Sequence, residues 1–216
     1  MSVQMMIAQL AEGMWVSIQI FTVTLLFSLP LGLLVAFGRM SSNPICSLVI
    51  KVYISVMRGT PLMLQLMVVY FAPYFLFDIQ VSSSYRIWAT FLGFIINYAA
   101  YFAEIYRSGI QSMPVGQYEA AKLLGYSRSQ TFFRIILPQV VKRILPSVTN
   151  EVITLVKDTS LAFTIGVMEM FTKAKALASS QTSMVPFVIA GVFYYVLNLV
   201  VAVVMERAEK KMTYYQ

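Results

Sequence analysis

The stretch WVSIQIFTVTLLFSLPLGLLVAFG, from Trp15 to Gly38, contains no acidic or basic residue. A membrane-spanning helix requires about 20 consecutive apolar residues, because its length must match the thickness of the hydrocarbon layer. This stretch meets that requirement, and Pro30 is its single proline. It predicts a transmembrane helix, and a chain with such a helix is an integral membrane protein.

The composition of the whole chain agrees with an all-α integral membrane protein. Of its 216 residues, 59% are hydrophobic and only 12% are charged, whereas soluble domains average about 25% charged residues. Mean hydropathy is +0.75. The net charge of +7 fits the excess of lysine and arginine that marks cytoplasmic loops. No aromatic-rich basic patch indicates a nucleic-acid partner.

Several kinds of chemistry are excluded by residue counts. The sequence has no histidine and a single cysteine, Cys46. It therefore lacks a histidine-based catalytic triad, histidine-rich metal sites and an intrachain disulfide. It also lacks a GxxxxGK[ST] motif for nucleotide phosphates. We predict no catalytic residue, no metal site and no cofactor in this chain. The first basic residue is Arg39, so we expect no cleaved signal peptide.

Five segments are predicted to cross the membrane, within a single membrane domain formed by residues 1–216. The predicted spans are residues 15–38, 46–77 with a break at 58–61, 87–106, 140–156 and 185–205. The fourth is the least hydrophobic. Ahead of the first span, the short apolar stretch Val3 to Leu10 is interpreted as a separate interfacial helix.

The distribution of basic residues predicts the orientation of the chain. With the loop after the first span in the cytoplasm, only Arg86, Lys173 and Lys175 fall on the outer side. Cytoplasmic loops carry the excess of lysine and arginine. We therefore predict that the N-terminus lies outside and the C-terminus lies in the cytoplasm.

The segment EAAKLLGYSRSQTFFRIILP, from Glu119 to Pro138, is basic and rich in small residues, and it separates two apolar stretches. Pro114 suits a helix start, Ala120 and Ala121 favour helix, and Gly125 can end a helix in a left-handed turn. We predict a short helix, a glycine corner and a second helix on the cytoplasmic face. The segment is either a docking surface for a partner or an ordinary amphipathic connection.

Polar side chains recur on one face of two predicted spans. They are Asn97, Tyr101 and Glu104 in the third span, and Ser147, Glu151, Thr154 and Asp158 in the fourth. Polar groups inside a membrane are costly and usually face an interior. The two stripes either line a polar path or join the helices by hydrogen bonds in a dry bundle. For Glu151 we favour the path, because an ionised carboxylate needs a partner or water.

The segment after Met113 resembles the EAA loop of ABC-importer permeases. The matching residues are Glu119, Ala120, Ala121, Gly125, Ile135, Leu137 and Pro138, in the spacing EAA---G---------I-LP. Two further stretches, Arg58-Gly59-Thr60-Pro61 with Leu62 and Gln65, and Lys157-Asp158-Thr159-Ser160-Leu161, are similar to the polar-amino-acid branch of that family. Its substrates include histidine, glutamine, arginine and cystine. The resemblance covers the chain from about Gly13 onward.

This resemblance implies a type I ABC importer-like permease fold in the bacterial cytoplasmic (inner) membrane. It implies two copies of a cytoplasmic ABC ATPase subunit that bind ATP and Mg, so that this chain is not itself an enzyme. It also implies a second permease chain, identical or homologous, an extracytoplasmic substrate-binding protein, an amino-acid substrate and surrounding membrane lipid. The coupling loop would span residues 113–138. The residues expected to couple to the ATPase are Glu119, Ala120, Ala121, Lys122, Gly125, Tyr126, Ser127 and Arg128.

A substrate path is expected around Arg58. It lies 12 residues beyond Cys46, which corresponds to about 18 Å of helix and to mid-membrane depth. Its guanidinium would bind a substrate carboxylate, or else pair with Glu151 or extend to the cytoplasmic face. The ammonium group of the same amino-acid substrate would contact Glu151 or Asp158. The expected path residues are Arg58, Thr60, Gln65, Asn97, Tyr101, Glu104, Glu151, Thr154, Asp158 and Ser160.

Two other function classes compete with this interpretation. One is a secondary amino-acid transporter driven by an ion gradient, and such folds often show internal repeats and more spans. The other is a membrane enzyme such as an intramembrane protease. Neither accounts for a Glu-Ala-Ala helix on the cytoplasmic face.

Overall fold

The structure, a computed structural model, describes residues 2–212. Within this range it is helical and contains no strand. The α-helices are α1 (Val3–Arg39), α2 (Pro44–Gly59), α3 (Leu62–Phe77), α4 (Tyr85–Gln111), α5 (Val115–Leu123), α6 (Arg128–Gln130), α7 (Leu137–Asp158), α8 (Met170–Gln181) and α9 (Val185–Lys211). A π-helical segment (Thr131–Ile136) precedes α7, and a 3₁₀ helix (Thr159–Ile165) follows it.

Helix α1 is longer than the sequence predicted. The prediction of a separate interfacial helix at Val3 to Leu10 is wrong, because these residues form the first turns of α1. Leu10 is fully buried and packs with Met170 of α8. Gly13 allows this approach, since a Cβ atom there would lie 2.8 Å from Met170 Cα. Packing against a distant part of the chain therefore keeps the helix continuous.

The centre of the molecule is the crossing of α1 and α4, which share the most extensive helix contact in the described chain. Small residues on α1 permit it, as is common between membrane helices. A Cβ atom at Gly32 would lie 2.8 Å from Phe102 Cβ. Phe94, Tyr98 and Phe102 of α4 are buried in the resulting core.

The predicted break at 58–61 is confirmed. Helix α2 ends at Gly59 and α3 begins at Leu62, and the two axes are bent by 112°. We call residues 57–62 the elbow. Pro61 begins the new direction, because its ring excludes the hydrogen bond that would have continued α2.

The other predicted spans each lie within one helix, namely α1, α4, α7 and α9. By length and apolar composition, Val3–Arg39 and Val185–Lys211 qualify as membrane spans in the described chain, and α2 with α3 qualifies if the bent pair counts as one. The total of five spans and the orientation of the termini remain predictions.

A buried carboxylate fixes the turn into α8. Glu169 is fully buried, and its two oxygens accept hydrogen bonds from the backbone N–H groups of Phe171 and Thr172, each over 2.7 Å. The hydroxyl of Tyr194 in α9 also donates to it over 3.1 Å. Glu169 thus caps the first turn of α8 and joins that turn to α9.

Candidate functional site

A polar cavity of about 460 Å³ lies between the end of α2 and the facing surfaces of α4 and α7. Four of the predicted path residues line it: Arg58, Tyr101, Glu104 and Glu151. The remaining lining residues are Ile105, Ser108, Gly109, Ser112, Arg143, Ile144 and Ser147. The structure therefore brings together the central part of both polar stripes.

In the described part of the chain, Arg58 has no carboxylate partner. Its guanidinium lies over the ring of Tyr101, with Cζ 5.3 Å from the ring centroid, which is the geometry of a cation–π contact. Within residues 2–212 no ion pair shorter than 4.0 Å joins Arg58 to an acidic side chain. The alternative pairing of Arg58 with Glu151 is therefore not formed. Glu151 is half-buried on the same cavity wall, so charges of opposite sign face the cavity without neutralising each other directly.

The other lining charges are engaged in local contacts. Glu104 forms an ion pair with Arg107 one turn later, and Nε of Arg107 donates to its second oxygen over 3.0 Å. Arg143 of α7 donates from Nη1 to the carbonyl of Ser112 over 3.1 Å. Arg107 and Arg143 are absent from the predicted path, because the distribution of basic residues assigned both to the cytoplasmic side.

Three predicted path residues lie instead at the elbow, outside the lining of the cavity. Nε2 of Gln65 donates to Met57 O over 3.0 Å and to Thr60 Oγ1 over 2.8 Å. Nδ2 of Asn97 donates to the same Met57 carbonyl over 3.1 Å. A helix end leaves carbonyl groups without intrahelical partners. Gln65, Asn97 and Thr60 supply partners at this helix end, and they thereby hold the elbow that presents Arg58.

The last three predicted path residues lie near the far end of α7. Asp158 Oδ2 accepts a hydrogen bond from the hydroxyl of Tyr98 over 2.7 Å. The hydroxyl groups of Thr154 and Ser160 donate to backbone carbonyls of their own segment. Asp158 lies seven residues beyond Glu151, which is about 10 Å along a helix. It therefore belongs to a second polar position, and Tyr98 was missed because it lies off the predicted stripe.

The predicted docking segment begins with α5 directly after Pro114. Gly125 has φ of +80°, which confirms the predicted left-handed turn. The N–H of Gly125 donates to Lys122 O over 3.1 Å, and that of Tyr126 donates to Ala121 O over 3.0 Å. This pair of bonds is a Schellman motif, in which the residue after the helix cap is most often glycine.

The second part of the segment turns sharply into α7. Ser127 and Gln130 form a capping box, in which Ser127 Oγ accepts from Gln130 N over 3.2 Å and Gln130 Oε1 accepts from Ser127 N over 2.9 Å. The predicted second helix is therefore present, but it consists of the short α6 and the π-helical segment, which continues directly into α7.

Most of the predicted coupling residues lie on the surface. Those that are exposed are Glu119, Ala120, Lys122, Gly125, Tyr126, Ser127 and Arg128. Ala121 is the exception, since it is 2% exposed and packs inward. Leu123 and Leu124 are 90% and 75% exposed. Neither leucine was predicted to contact a partner, although two consecutive leucines directly before Gly125 could have indicated an apolar docking surface.

Comparison with known proteins places this geometry in a family. Residues 28–214 match the family described as "Binding-protein-dependent transport system inner membrane component". The chain belongs to this family. All of the candidate path and coupling residues lie within the matched range, so they are part of an inner membrane transport component.

Individual relatives agree with the family. The chain is 40% identical over 200 residues to the L-cystine transport system permease protein TcyL of Bacillus subtilis, covering 91% of this chain and 84% of that protein. It is 35% identical to the arginine transport system permease protein ArtQ of the same organism, covering 93% and 91%. A crystal structure of an amino acid ABC transporter with histidines superposes with a TM-score of 0.85 at 30% identity, covering 94% of both chains. The type I ABC importer permease fold predicted from the sequence is confirmed.

Proposed function

We propose that this chain is the membrane-spanning permease subunit of an ATP-driven amino-acid importer. In this function it forms the translocation path and couples that path to a separate cytoplasmic ATPase subunit. The names of the cystine, arginine and histidine relatives support an amino acid as the substrate. ATP and Mg belong to the ATPase partner, and the chain itself catalyses no reaction.

The observation that carries this proposal is the physical connection between the docking segment and the cavity. Gln117 of α5 and Gln139 of α7 exchange two side-chain hydrogen bonds, of 2.8 and 3.0 Å. Helix α7 in turn supplies Glu151 to the cavity wall. A displacement of α5 by a partner is therefore transmitted to the helix that lines the path, through hydrogen bonds and through the continuous backbone of the π-helical segment.

The cavity suits a zwitterion. A guanidinium and a carboxylate bind each other through paired, charge-assisted hydrogen bonds, so Arg58 is the residue that would hold the substrate carboxylate. Glu151 is the better candidate for the ammonium group, because Asp158 already accepts a hydrogen bond from Tyr98 and lies outside the cavity lining. Transport requires weak, reversible binding, and the Arg58 contact with Tyr101 provides a resting position when substrate is absent.

Membership of the family supports a set of partners for this chain. They are two copies of the ATPase subunit, a second permease chain that is either identical or homologous, and an extracytoplasmic binding protein that delivers the substrate. The exposed surface of α5, including Leu123 and Leu124, is the part that would enter a groove on the ATPase.

The experiment that tests the proposal is affinity purification of the chain from its native membrane in mild detergent, with mass spectrometry of the proteins that accompany it. We expect a P-loop ATPase at a defined ratio to the permease, and ATP-dependent uptake of an amino acid after reconstitution of that complex. Recovery of the chain in good yield without an ATPase, together with uptake driven by an ion gradient, would assign it to the secondary transporters instead.

A further inference from the structure

A groove of about 780 Å³ lies on the surface where the π-helical segment passes into α7. It is larger than the polar cavity. Its lining residues are Met113, Arg134, Ile135, Pro138, Gln139, Lys142, Arg143 and Pro146. Four of them, Met113, Arg134, Ile135 and Pro138, lie within the predicted coupling loop of residues 113–138, but none is among the individual residues predicted to couple to the ATPase or to line the path.

The groove combines an apolar wall with basic side chains. The wall comprises Met113, Ile135 and the two prolines, while Arg134, Lys142 and Arg143 supply the positive charge, and no acidic residue is among the lining. Arg134 is exposed and makes no hydrogen bond or ion pair in the part of the chain that the structure describes. An occupant of such a groove must carry negative charge beside apolar groups.

The position of the groove indicates which kind of molecule carries both the negative charge and the apolar groups. The predicted fourth span begins at Val140, and Pro138 and Lys142 flank this residue on α7. In the predicted orientation the groove therefore lies at the cytoplasmic membrane surface. Basic pockets between helices on that side bind the headgroups of anionic lipids. We propose that this groove binds an anionic phospholipid, with the phosphate at Arg134 and Arg143 and the acyl chains along the apolar wall.

Two protein occupants fit the groove less well. A second copy of the chain meeting this face across a two-fold axis would bring the same basic side chains together, since such a contact places identical patches against each other. The ATPase surface is expected at α5, where Leu123 and Leu124 are exposed and lie outside the lining of the groove. An anionic lipid would pair its phosphate with the cations and pack its acyl chains on the apolar wall. It would do so without placing like charges against each other and without displacing the ATPase from α5.

Lipid in the groove would contact both moving parts of the proposed transport mechanism. Gln139 lines the groove and is the α7 partner of Gln117. Arg143 lines both the groove and the polar cavity, and it donates to Ser112 at the end of α4. The bound phosphate would therefore hold the base of α7 in register with α4 and α5.

The proposal is tested by native mass spectrometry of the complete purified transporter titrated with phosphatidylglycerol, with phosphatidylcholine as the neutral lipid. We expect retained phosphatidylglycerol on the wild type and about 25-fold weaker retention for the double variant Arg134→Gln/Arg143→Gln, at about fivefold for each charge removed. The matched control Lys51→Gln/Arg207→Gln removes two exposed cations outside the groove and should retain the lipid within about twofold.

Three outcomes would overturn the proposal. Equal loss of lipid in both double variants would mean that only total surface charge matters, and unchanged retention in both would mean that the groove holds no lipid. Loss of the ATPase or of the second permease chain, with lipid retained, would assign the groove to that protein. If the double variant fails to assemble, Arg134→Gln alone decides the question, because this exposed side chain has no described partner whose loss would disturb the fold.

Discussion

Nδ2 of Asn97 donates a hydrogen bond to Oε1 of Gln65 over 2.9 Å. The two side chains come from α4 and α3, and both also donate to Met57 O in the last turn of α2. The membrane interior offers no water to an unpaired carbonyl, so the pair stabilises a helix end that would otherwise be costly. Because Arg58 is the next residue, the same bonds determine where its guanidinium enters the cavity.

Replacing Asn97 with Leu should loosen the elbow. The substitution leaves Gln65 Oε1 without its donor, and a buried polar atom without a partner costs about 1–3 kcal/mol. Unfolding in detergent, followed by heat or denaturant, should show a loss of that size, whereas Asn150→Leu on the exposed surface of α7 should have little effect. If Asn97→Leu and Asn150→Leu were equally stable, the amide pair would not support the elbow.

Asn97 also shows what a periodic sequence pattern can and cannot predict. The spacing of Asn97, Tyr101 and Glu104 correctly indicated one face of α4, yet only the last two line the cavity. Asn97 lies at the level where α2 breaks, so its partner is a carbonyl 40 residues earlier in the chain. No pattern within α4 contains that information.

Local sequence signals were sufficient to predict two other features of the fold. The corner at Gly125 followed from the glycine itself, because a positive φ is strained for other residues, and the elbow followed from the Gly-Thr-Pro sequence. The continuous first helix did not follow, since it depends on Gly13 meeting Met170 across the fold. The inward position of Ala121 was missed for the same reason, because burial of one side of a short helix depends on what lies beneath it.

Gly32 should be sensitive to any added side chain. A Cβ atom at this position would lie 2.8 Å from Phe102 Cβ and 3.1 Å from Ala99 O, so Gly32→Val forces α1 away from α4. Overpacking of this kind typically costs about 1–3 kcal/mol. The same substitution at Gly191, where nothing lies within 4 Å, is the control. Equal unfolding midpoints of Gly32→Val and Gly191→Val in detergent would contradict the close α1–α4 crossing.

Replacing Arg58 with Leu should abolish substrate uptake while the ATPase remains bound. The reason is that the cavity would lose the cation proposed to hold the substrate carboxylate, whereas α5 lies elsewhere on the chain. Glu151→Gln should weaken uptake as well, through loss of the charge opposite the ammonium group. Uptake by the reconstituted complex, measured beside co-purification of the ATPase, separates transport from assembly.

Lys51→Leu provides the control for Arg58→Leu. Lys51 lies on the same helix, two turns earlier, and is exposed, so the same loss of charge occurs outside the cavity. We expect near-normal uptake from this variant. Full uptake with Arg58→Leu would assign the guanidinium to a structural role, and equal loss in both variants would point to a general effect of charge on α2.

Gly125→Ala should uncouple ATP hydrolysis from transport. At φ of +80° an added Cβ atom is strained by about 1 kcal/mol or more, and the Schellman bonds that orient α5 relative to α6 would shift. The protein should still insert and bind the ATPase, but uptake per ATP hydrolysed should fall several-fold. Gly116→Ala makes the same change within α5, where a Cβ atom meets nothing within 4 Å and alanine favours the helix. A normal ratio of uptake to hydrolysis in Gly125→Ala would show that this corner does not transmit movement to α7.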